Sequence, residues 1–309
     1  MNNPPETLFI EEQESSLRLD QLLVKRYEGH YSRTYFQKLI EQGLVLLNGE
    51  PVKKRYKPQV GDEVEIEFLL TQETALLPEP IPLDILYEDE DLLIINKPAG
   101  LVVHPAPGNW TGTFANALLY HCTTLAAPEG DLRPGIVHRL DKDTTGVLIS
   151  AKTPIAQWKM IEAFASRKVH KEYLAITHGA PGDRLIDAPI GRDPRNRQRM
   201  AVVEGGKSAR THVKTIGREG GFALAQIVLE TGRTHQIRVH LSHTGTPVVG
   251  DPLYGRHAQD ERLKCKRQLL HASLIRFHHP LTGREIEIKA PLPQDFTFFL
   301  EQYRIIRLS

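Results

Sequence analysis

The sequence predicts an α+β protein with a small N-terminal domain and a larger domain built on a mixed, mainly antiparallel sheet. In residues 83–309 strand-like runs outnumber helix-like runs, and they do not alternate as the βαβ units of a parallel sheet would. A stretch with spaced prolines and no periodicity, LLTQETALLPEPIP, separates this part from a compact module before it. The 309 residues are enough for about two domains. The predicted boundaries are a tail at 1–16, a small domain at 17–70, a linker at 71–82 and a large domain at 83–309.

Composition and cysteine content exclude several classes of protein. With 40% hydrophobic and 25% charged residues, the chain is typical of a globular protein and not of a disordered or fibrous one. It has no apolar run of about 18 residues, and its first residues, MNNPPETLFIEEQE, lack a basic leader, so we expect a cytoplasmic protein without a membrane span. Two cysteines, Cys122 and Cys265, are too few for a disulfide framework or a cysteine-based zinc site.

The layout of charge says more about partners than the net charge of +1. Residues 18–57 contain nine Lys or Arg against four Asp or Glu, and residues 184–214 contain eight against three. Residues 73–91, by contrast, hold seven acids and no Lys or Arg. Two separate basic regions indicate a polyanion bound at two places, although basic runs are often only solvated surface. Charge alone leaves both interpretations open.

Helix-like and strand-like segments follow one another in the small domain. RLDQLLVKRY has leucines spaced for one helical face, and Ser32 is a suitable N-cap for the next helix, RTYFQKLIEQ, which ends at Gly43. LVLL followed by Asn48-Gly49 predicts a hairpin, and EVEIEF alternates like a half-buried strand.

The order RLDQLL, SRTYFQKLIEQGLVLLNGEPVKK and GDEVEI resembles the αL RNA-binding module of a small-subunit ribosomal protein. Proteins with this module carry basic residues along one face of the two helices and dock on structured RNA. The resemblance implies phosphate contacts from five residues: Arg18, Arg33, Lys38, Lys53 and Lys54. The alternative for each is a solubilising surface charge.

The large domain consists of short strand-like runs with helix-like segments scattered between them. The strand-like runs include DILYEDEDLLIIN, GVLISAK, KEYLAITHG, THVKTIG and FALAQIVLE. The helix-like segments include FANALLYHC, PIAQWKMIEAFASR and QDFTFFLEQYRII. We find no internal repeat, and the spacing favours the α+β arrangement.

A dense polar cluster, GIVHRLDKDTTG at 135–146, marks the first candidate site. Asp141 is expected on a loop beside a strand that enters the core. Its neighbours His138, Arg139 and Lys142 favour the ionised carboxylate, which suits a nucleophile or a general base. A structural salt bridge or a loop cap is the alternative. His138 and Asp143 are expected to orient the loop and not to react.

A second cluster, ETGRTHQIRVHLSHTG at 230–245, opens with a turn and continues as a predicted helix. Its apolar residues Ile237, Val239 and Leu241 are expected to face partly inward. Arg233 lies at the predicted start of the helix, where it could pair with a carboxylate and hold it ionised.

GIVHRLDKDTTG, KEYLAI, ETGRTHQIRVHL, GDPLYG and LHA, in this order, resemble the motifs of RluA-type pseudouridine synthases. With the αL module in front, the chain is most similar to the RluD-like members, which act on large-subunit ribosomal RNA. The resemblance covers the chain from about Arg18 to the C-terminal helix. It implies an isomerase whose partner is large-subunit ribosomal RNA or a large-subunit particle.

The resemblance also implies a role for four residues. Asp141 is the catalytic aspartate, Tyr173 of KEYLA packs against the target base, and Arg233 forms an ion pair with Asp141. Arg139 enters the RNA helix and supports the flipped-out nucleotide, which must leave its stack before its glycosidic bond can break. Because the product is an isomer, no cofactor is expected; GREGGF at 217–222 lacks the GK[ST] ending of a phosphate-binding loop. Whether Asp141 attacks the sugar or removes its 2′ proton stays open.

The segment DAPIGRDPRNRQRM at 187–200 is a loop-like, proline-interrupted stretch with four arginines. Planar guanidinium groups suit phosphate contacts, and a solvated loop is the alternative. The four candidate contacts are Arg192, Arg195, Arg197 and Arg199.

A metal site among the fourteen histidines is one rival hypothesis. His235, His240 and His243 lack the HExxH spacing and have no carboxylate between them, so we predict no metal.

A glycoside hydrolase is another rival, with Asp141 and Asp143 as its carboxylate pair. Their separation on a loop is not determined by the sequence.

The third rival is an RNA-binding or ribosome-assembly protein that keeps the synthase fold without its chemistry. Such a protein would have no chemical need for Asp141, Tyr173 and Arg233 together.

Overall fold

The computed structural model describes residues 6–12, 14, 17–27, 33–53, 55–68, 76–105, 109, 111–122, 125, 134–196 and 199–306. These residues divide into two compact units, the first within 1–80, 104–111 and 115–134 and the second within 81–103, 112–114 and 135–309. Two segments of the predicted large domain therefore group with the first unit. One cause is Asn116, whose Nδ2 donates to Leu77 O at 2.8 Å and whose carbonyl accepts from Glu79 N–H at 3.1 Å.

The N-terminal part of the first unit is a four-stranded antiparallel sheet with two helices. Its elements are β1 (Glu6–Phe9), α1 (Leu19–Arg26), α2 (Arg33–Glu41), β2 (Val45–Leu47), β3 (Glu50–Pro51) and β4 (Glu63–Ile66). The sheet order is β1-β4-β2-β3. Asn48 and Gly49 link β2 to β3 with φ angles of 52° and 81°, the left-handed geometry that this pair adopts readily. The predicted helices, hairpin and strand are confirmed, whereas the predicted N-cap Ser32 lies outside the described residues.

One strand of this sheet comes from the segment predicted to be a tail. β1 pairs with β4 from Glu6 opposite Ile66 to Phe9 opposite Glu63, and Ile10 directly after it is buried. Three of the four residues of β1 are exposed, so the segment lacks the alternation that marks a half-buried strand.

The second unit is built on a nine-stranded sheet. The strands of this part of the chain are β5 (Ile85–Glu88), β6 (Leu92–Lys97), β7 (Thr145–Ala151), β8 (His170–His178), β9 (Asp183–Asp187), β10 (Ile190–Arg192), β11 (Met200–Val202), β12 (Arg210–Glu219), β13 (Phe222–Leu229), β14 (Leu270–His278) and β15 (Glu285–Lys289). The remaining helices of the chain are α3 (Phe114–His121), α4 (Pro154–Ala165), α5 (Gln236–His243), α6 (His257–Arg262) and α7 (Gln294–Gln302).

The order of the large sheet is β5-β6-β7-β14-β8-β13-β12-β9, with β15 also paired to β14. Only β7 and β14 pair in parallel among these strands, so the prediction of a mixed, mainly antiparallel sheet is confirmed. β10 and β11 form a separate two-stranded ribbon. Helix α4 buries Ala156 and Met160 against the strands, while α7 buries Phe296 and Phe299 in a second cluster.

The parallel pair positions the polar loop that precedes β7. Thr145 and Gly146 lie opposite His271 and Ala272. Gly146 has a φ of 107°, and a Cβ atom there would lie 2.1 Å from the carbonyl oxygen of Ala272. Only glycine permits this approach, so the strand can pair immediately after the loop. Within the described ranges, no helix has the length and apolar character needed to cross a membrane.

Candidate active site

The loop that carries Asp141 is anchored on one side by His138. Nε2 of His138 accepts a hydrogen bond from the Ile149 N–H at 2.9 Å, and its ring stacks on Phe164 at 4.6 Å between centroids. Burial, together with the charge of Lys171, lowers the pKa of His138 to about 3. His138 is therefore a neutral acceptor that orients the loop.

The other side of the loop is anchored by Lys97, at the end of β6. Its side chain is fully buried, and its Nζ donates to the carbonyl oxygens of Pro98, Leu101 and Lys142 at 2.8, 2.9 and 2.7 Å. Burial lowers the pKa of Lys97 to about 7, against the opposing charges of Asp143 and Asp141. No local pattern in the sequence marks Lys97, because one of its acceptors, Lys142, lies 45 residues away and comes near through the pairing of β6 with β7.

Replacement of Lys97 by Met should change how stability depends on pH. Between about pH 7 and its ordinary pKa of 10.5, Lys97 holds a proton in the unfolded chain that it releases in the folded protein. The free energy of unfolding of the unaltered protein should therefore rise with pH relative to that of Lys97→Met, and the difference should be flat below pH 7. Urea unfolding of both proteins from pH 6 to 9.5 measures this difference; a difference that falls with pH would contradict the assignment.

Asp141 is held by a buried arginine of α5. Nη1 of Arg238 donates to Asp141 Oδ2 at 2.9 Å, while its Nε and Nη2 form a bidentate pair with Asp251 at 2.7 and 2.9 Å. Arg238 is 4% exposed, Asp251 is fully buried and Asp141 is 17% exposed. Burial opposes the charge of Arg238, but Asp251 and Asp141 outweigh it and raise its pKa further. Asp141 is thus a partly exposed carboxylate beside a permanent cation.

Asp251 has its own backbone supports. Its Oδ1 accepts from the N–H groups of Leu253 and Tyr254 at 2.9 and 3.0 Å, in addition to Arg238. Gly250, immediately before it, has a φ of 76°, and a Cβ atom there would lie 2.1 Å from Arg267 O. The GDPLYG motif therefore fixes the carboxylate that fixes Arg238.

The predicted ion pair between Arg233 and Asp141 is wrong. Arg233 is exposed, and its Nε donates to the carbonyl oxygen of Ser208 at 3.0 Å. Helix α5 begins at Gln236, so Arg233 lies before the helix and Arg238 in its first turn. The sequence does contain a signal for Arg238: it lies between Ile237 and Val239, both buried as predicted. A cation that is buried together with such neighbours needs a carboxylate partner.

His235 and Tyr254 complete the surroundings of the carboxylate. Nε2 of His235 lies 4.0 Å from Asp141 Oδ1, and its Nδ1 lies 2.9 Å from the Tyr254 hydroxyl. Burial lowers the pKa of His235, although the charge of Asp141 opposes this effect. The lowered pKa favours the neutral imidazole. The Tyr254 ring lies 5.1 Å from the Arg238 guanidinium.

Asp141 opens into a pocket of about 480 Å³, within the range of ligand-binding pockets. Tyr173 on β8 lines the same pocket and is 7% exposed. Its burial and the charge of Asp141 raise its pKa, so the hydroxyl stays protonated. Three cations also line the pocket: Arg139, Lys171 and Arg233. Burial lowers the pKa of Lys171. The structure therefore brings together all three predicted catalytic residues, and Arg139 with them.

Two of the predicted phosphate contacts in the first unit share a buried acid. Arg18 Nη2 and Arg33 Nε lie 2.9 and 2.8 Å from Oδ2 of Asp20, which has no exposed surface. The two arginine side chains are 29% and 45% exposed, Lys38 is half-buried, and Lys53 is exposed. Lys54 lies outside the described residues.

The arginines of the segment 187–200 also differ in their exposure. Arg192 and Arg195 are exposed, whereas Arg199 is half-buried with its guanidinium 5.0 Å from the Tyr254 ring. Tyr254 thus connects Arg199 to the surroundings of Asp141. Arg197 lies outside the described residues.

Two of the histidines considered as metal ligands, His235 and His240, have other partners. His240 Nδ1 lies 2.8 Å from Thr211 Oγ1 and its Nε2 lies 2.9 Å from Ala188 O. Among the described residues, Asp89, Asp91 and His279 form a group of potential ligands. Nδ1 of His279 accepts from two backbone N–H groups, which puts the ring proton on Nε2, the nitrogen that lies 3.1 Å from Asp89. Both ring nitrogens of His279 therefore already lie close to other groups of the protein.

Comparison with known proteins gives matches along most of the chain. Residues 91–243 match the RNA pseudouridylate synthase family, and residues 17–64 match the S4 domain. An uncharacterised RNA pseudouridine synthase of Bacillus subtilis strain 168 is 45% identical over 95% of this chain and 96% of its own length. Ribosomal large subunit pseudouridine synthase D of Escherichia coli K12 is 42% identical over 96% of this chain and 94% of its own. Human RNA pseudouridylate synthase domain containing 4 superposes with a TM-score of 0.57 and 27% identity, over 73% of this chain and 94% of its own.

Proposed function

The chain belongs to the RNA pseudouridylate synthase family, and we propose that it isomerises uridines of large-subunit ribosomal RNA with Asp141 as the catalytic residue. The observation that carries the proposal is the Asp141 carboxylate, partly exposed in a pocket and bound to a buried arginine at 2.9 Å. The relatives named for the large ribosomal subunit support the choice of RNA.

The reaction breaks the bond from the ribose C1′ to N1 of uracil and joins the same carbon to C5. The base turns within the pocket between the two steps. C5 then loses its proton to solvent and N1 takes up a proton, so the product is an isomer of uridine. Both candidate routes, attack on C1′ and removal of the ribose 2′ proton, begin from an ionised carboxylate. Arg238 donates a hydrogen bond to the Asp141 carboxylate and fixes its orientation in the pocket.

We assign Tyr173 to the wall against which the uracil ring packs. Its ring is buried next to Asp141, and aromatic faces stack on any base. Because its pKa is raised, the phenol stays neutral and adds no second negative charge beside the carboxylate.

We assign Arg139 to the RNA side of the pocket. It is exposed and lies two residues from Asp141. Moving a uridine out of its stack costs a few kcal/mol of free energy. A cation that enters the vacated space offsets part of this cost. We therefore expect Arg139 to matter most when the target uridine lies in base-paired RNA.

The Arg139→Ala variant should therefore lose activity according to the structure of the RNA. We expect kcat/KM to fall about 10- to 100-fold on a uridine in a base-paired stem, and much less on the same uridine in unpaired RNA. Arg184→Ala, an exposed arginine that does not line the pocket, is the matched control. Equal losses on both RNAs would remove Arg139 from base extrusion.

We further propose that residues 17–70 dock on RNA and that 83–309 carry out the chemistry, with 71–82 between them. The S4 and synthase matches at 17–64 and 91–243 support this division. The proposed phosphate contacts are Arg18, Arg33, Lys38, Lys53, Lys54, Arg192, Arg195, Arg197 and Arg199. An enzyme of ribosomal RNA works where that RNA is assembled, so we assign the protein to the cytoplasm.

The substrate is tested with unmodified transcripts of large-subunit ribosomal RNA, small-subunit ribosomal RNA and transfer RNA. New carbodiimide-dependent primer-extension stops are expected in the large-subunit transcript, or in large-subunit particles assembled from it, and not in the other two. Stops confined to transfer RNA or to the small-subunit transcript would overturn the substrate while leaving the reaction standing.

A further inference from the structure

Helix α4 has an apolar face that the protein core does not use. Ala156 and Met160 are fully buried on its inner face. Ile155, Trp158 and Ile161 are 60%, 66% and 46% exposed, and their spacing of three residues puts them along one side of the helix. An exposed row with a tryptophan at its centre indicates a surface that binds something.

The row is continuous with the pocket of Asp141. Ile161 lines the pocket, as do Phe164, Ala165 and Arg167 at the C-terminal end of α4 and just beyond it. Trp158 lies one turn before Ile161, about 4.5 Å along the helix axis. The apolar row therefore leads from the mouth of the pocket outward.

The charges around the row match a nucleic acid. Residues 154–171 contain four cations, Lys159, Arg167, Lys168 and Lys171, and one acid, Glu162. Arg167 and Lys168 are both exposed. A polyanion with flat apolar bases fits this combination, because cations bind its phosphates while aromatic and apolar side chains stack on its bases. An apolar protein surface would not complement the excess of positive charge.

We propose that Trp158, flanked by Ile155 and Ile161, is a stacking platform for an unpaired base next to the target uridine. The proposal rests on an RNA substrate in the pocket of Asp141. When the target leaves its stack, the neighbouring base loses a stacking partner. An indole face beside the pocket replaces that partner, and a base stacked on an aromatic side chain is typical of sequence-tolerant binding of single-stranded RNA.

Binding of large-subunit ribosomal RNA fragments tests the platform. In an Asp141→Asn background, which prevents turnover, Trp158→Ala should raise the Kd about 5- to 150-fold and Trp158→Phe only slightly. Phe298→Ala is the matched control, since Phe298 is 64% exposed on α7 and does not line the pocket. Thermal unfolding of each variant checks that the fold is intact. If Trp158→Ala leaves the Kd unchanged, as Phe298→Ala is expected to do, the proposal is overturned.

Fluorescence gives a second readout, because a change in emission that depends on the RNA concentration reports on Trp158 itself. The chain has two tryptophans, Trp110 and Trp158, so Trp110→Phe leaves Trp158 as the sole reporter. Saturating RNA should quench its emission, and the quench should follow the same binding curve as a filter assay. Bound RNA without a change in emission would exclude the platform and leave the synthase function intact. Failure of the unaltered protein to bind or modify ribosomal RNA would instead overturn the substrate.

Discussion

Asp141→Asn protein is expected to fold and to bind ribosomal RNA while forming no pseudouridine. The amide keeps the size of the carboxylate and an oxygen that accepts from Arg238, but it supplies neither a nucleophilic anion nor a base. Removal of a group on which the chemistry depends lowers the turnover number by about 10⁴-fold or more. Release of tritium from RNA that carries [5-³H]uridine, under single-turnover conditions, measures this rate, because the hydrogen on C5 leaves when C5 joins the sugar.

Asp143→Asn is the matched control for this experiment. Asp143 lies in the same loop and is half-buried, but it does not line the pocket. We expect it to retain most of the activity. Strong activity in Asp141→Asn together with loss of activity in Asp143→Asn would show that the chemistry depends on Asp143 and not on Asp141. It would also reopen the comparison with a glycoside hydrolase.

Arg238→Ala is expected to lose both stability and activity. It leaves Asp251 fully buried without its cation and removes the donor to Asp141. Breaking a buried ion pair on one side costs about 3–5 kcal/mol, which is a large share of the stability of most domains. Urea unfolding should give a lower free energy of unfolding by about this amount, and tritium release should become undetectable.

Two further variants separate the structural part of this effect from the catalytic part. Arg238→Met combined with Asp251→Asn removes the unpaired buried charge, so much of the stability should return while activity stays low. Arg233→Ala, in the same TGRTHQIR motif, should change the free energy of unfolding by no more than about 0.5 kcal/mol, because Arg233 is exposed. Full activity in Arg238→Ala, or a loss of stability that is larger in Arg233→Ala than in Arg238→Ala, would contradict the assignment of Arg238 as the partner of Asp141.

The sequence predicted local structure best where local rules decide it. The α1–α2 pair and the Asn48-Gly49 hairpin of the small unit follow from helical spacing and from turn chemistry. β1 was missed because three of its four residues are exposed, so its position depends on pairing with β4, more than fifty residues away. The motif order was enough to identify the family and the loop of Asp141.

The sequence could not decide which arginine of one motif reaches Asp141. Arg233 and Arg238 are five residues apart, and a shift of the helix start from Arg233 to Gln236 exchanges their environments. The sequence did not mark Lys97 for a similar reason. Two of its acceptors, Pro98 and Leu101, are close to it in the chain, but the third, Lys142, comes near only through the pairing of β6 with β7. Polar contacts between distant segments have no periodicity in the sequence.

The central claim is that Asp141 isomerises uridine in large-subunit ribosomal RNA. Its most direct test incubates the unaltered protein and Asp141→Asn with a [5-³H]uridine-labelled large-subunit transcript and compares tritium release with pseudouridines mapped by carbodiimide. We predict that the unaltered protein releases one tritium for each pseudouridine mapped and that Asp141→Asn releases none although it binds the same RNA. Binding by both proteins without tritium release from either, on the transcript and on large-subunit particles alike, would contradict the claim and favour an RNA-binding protein that has kept the fold without its chemistry.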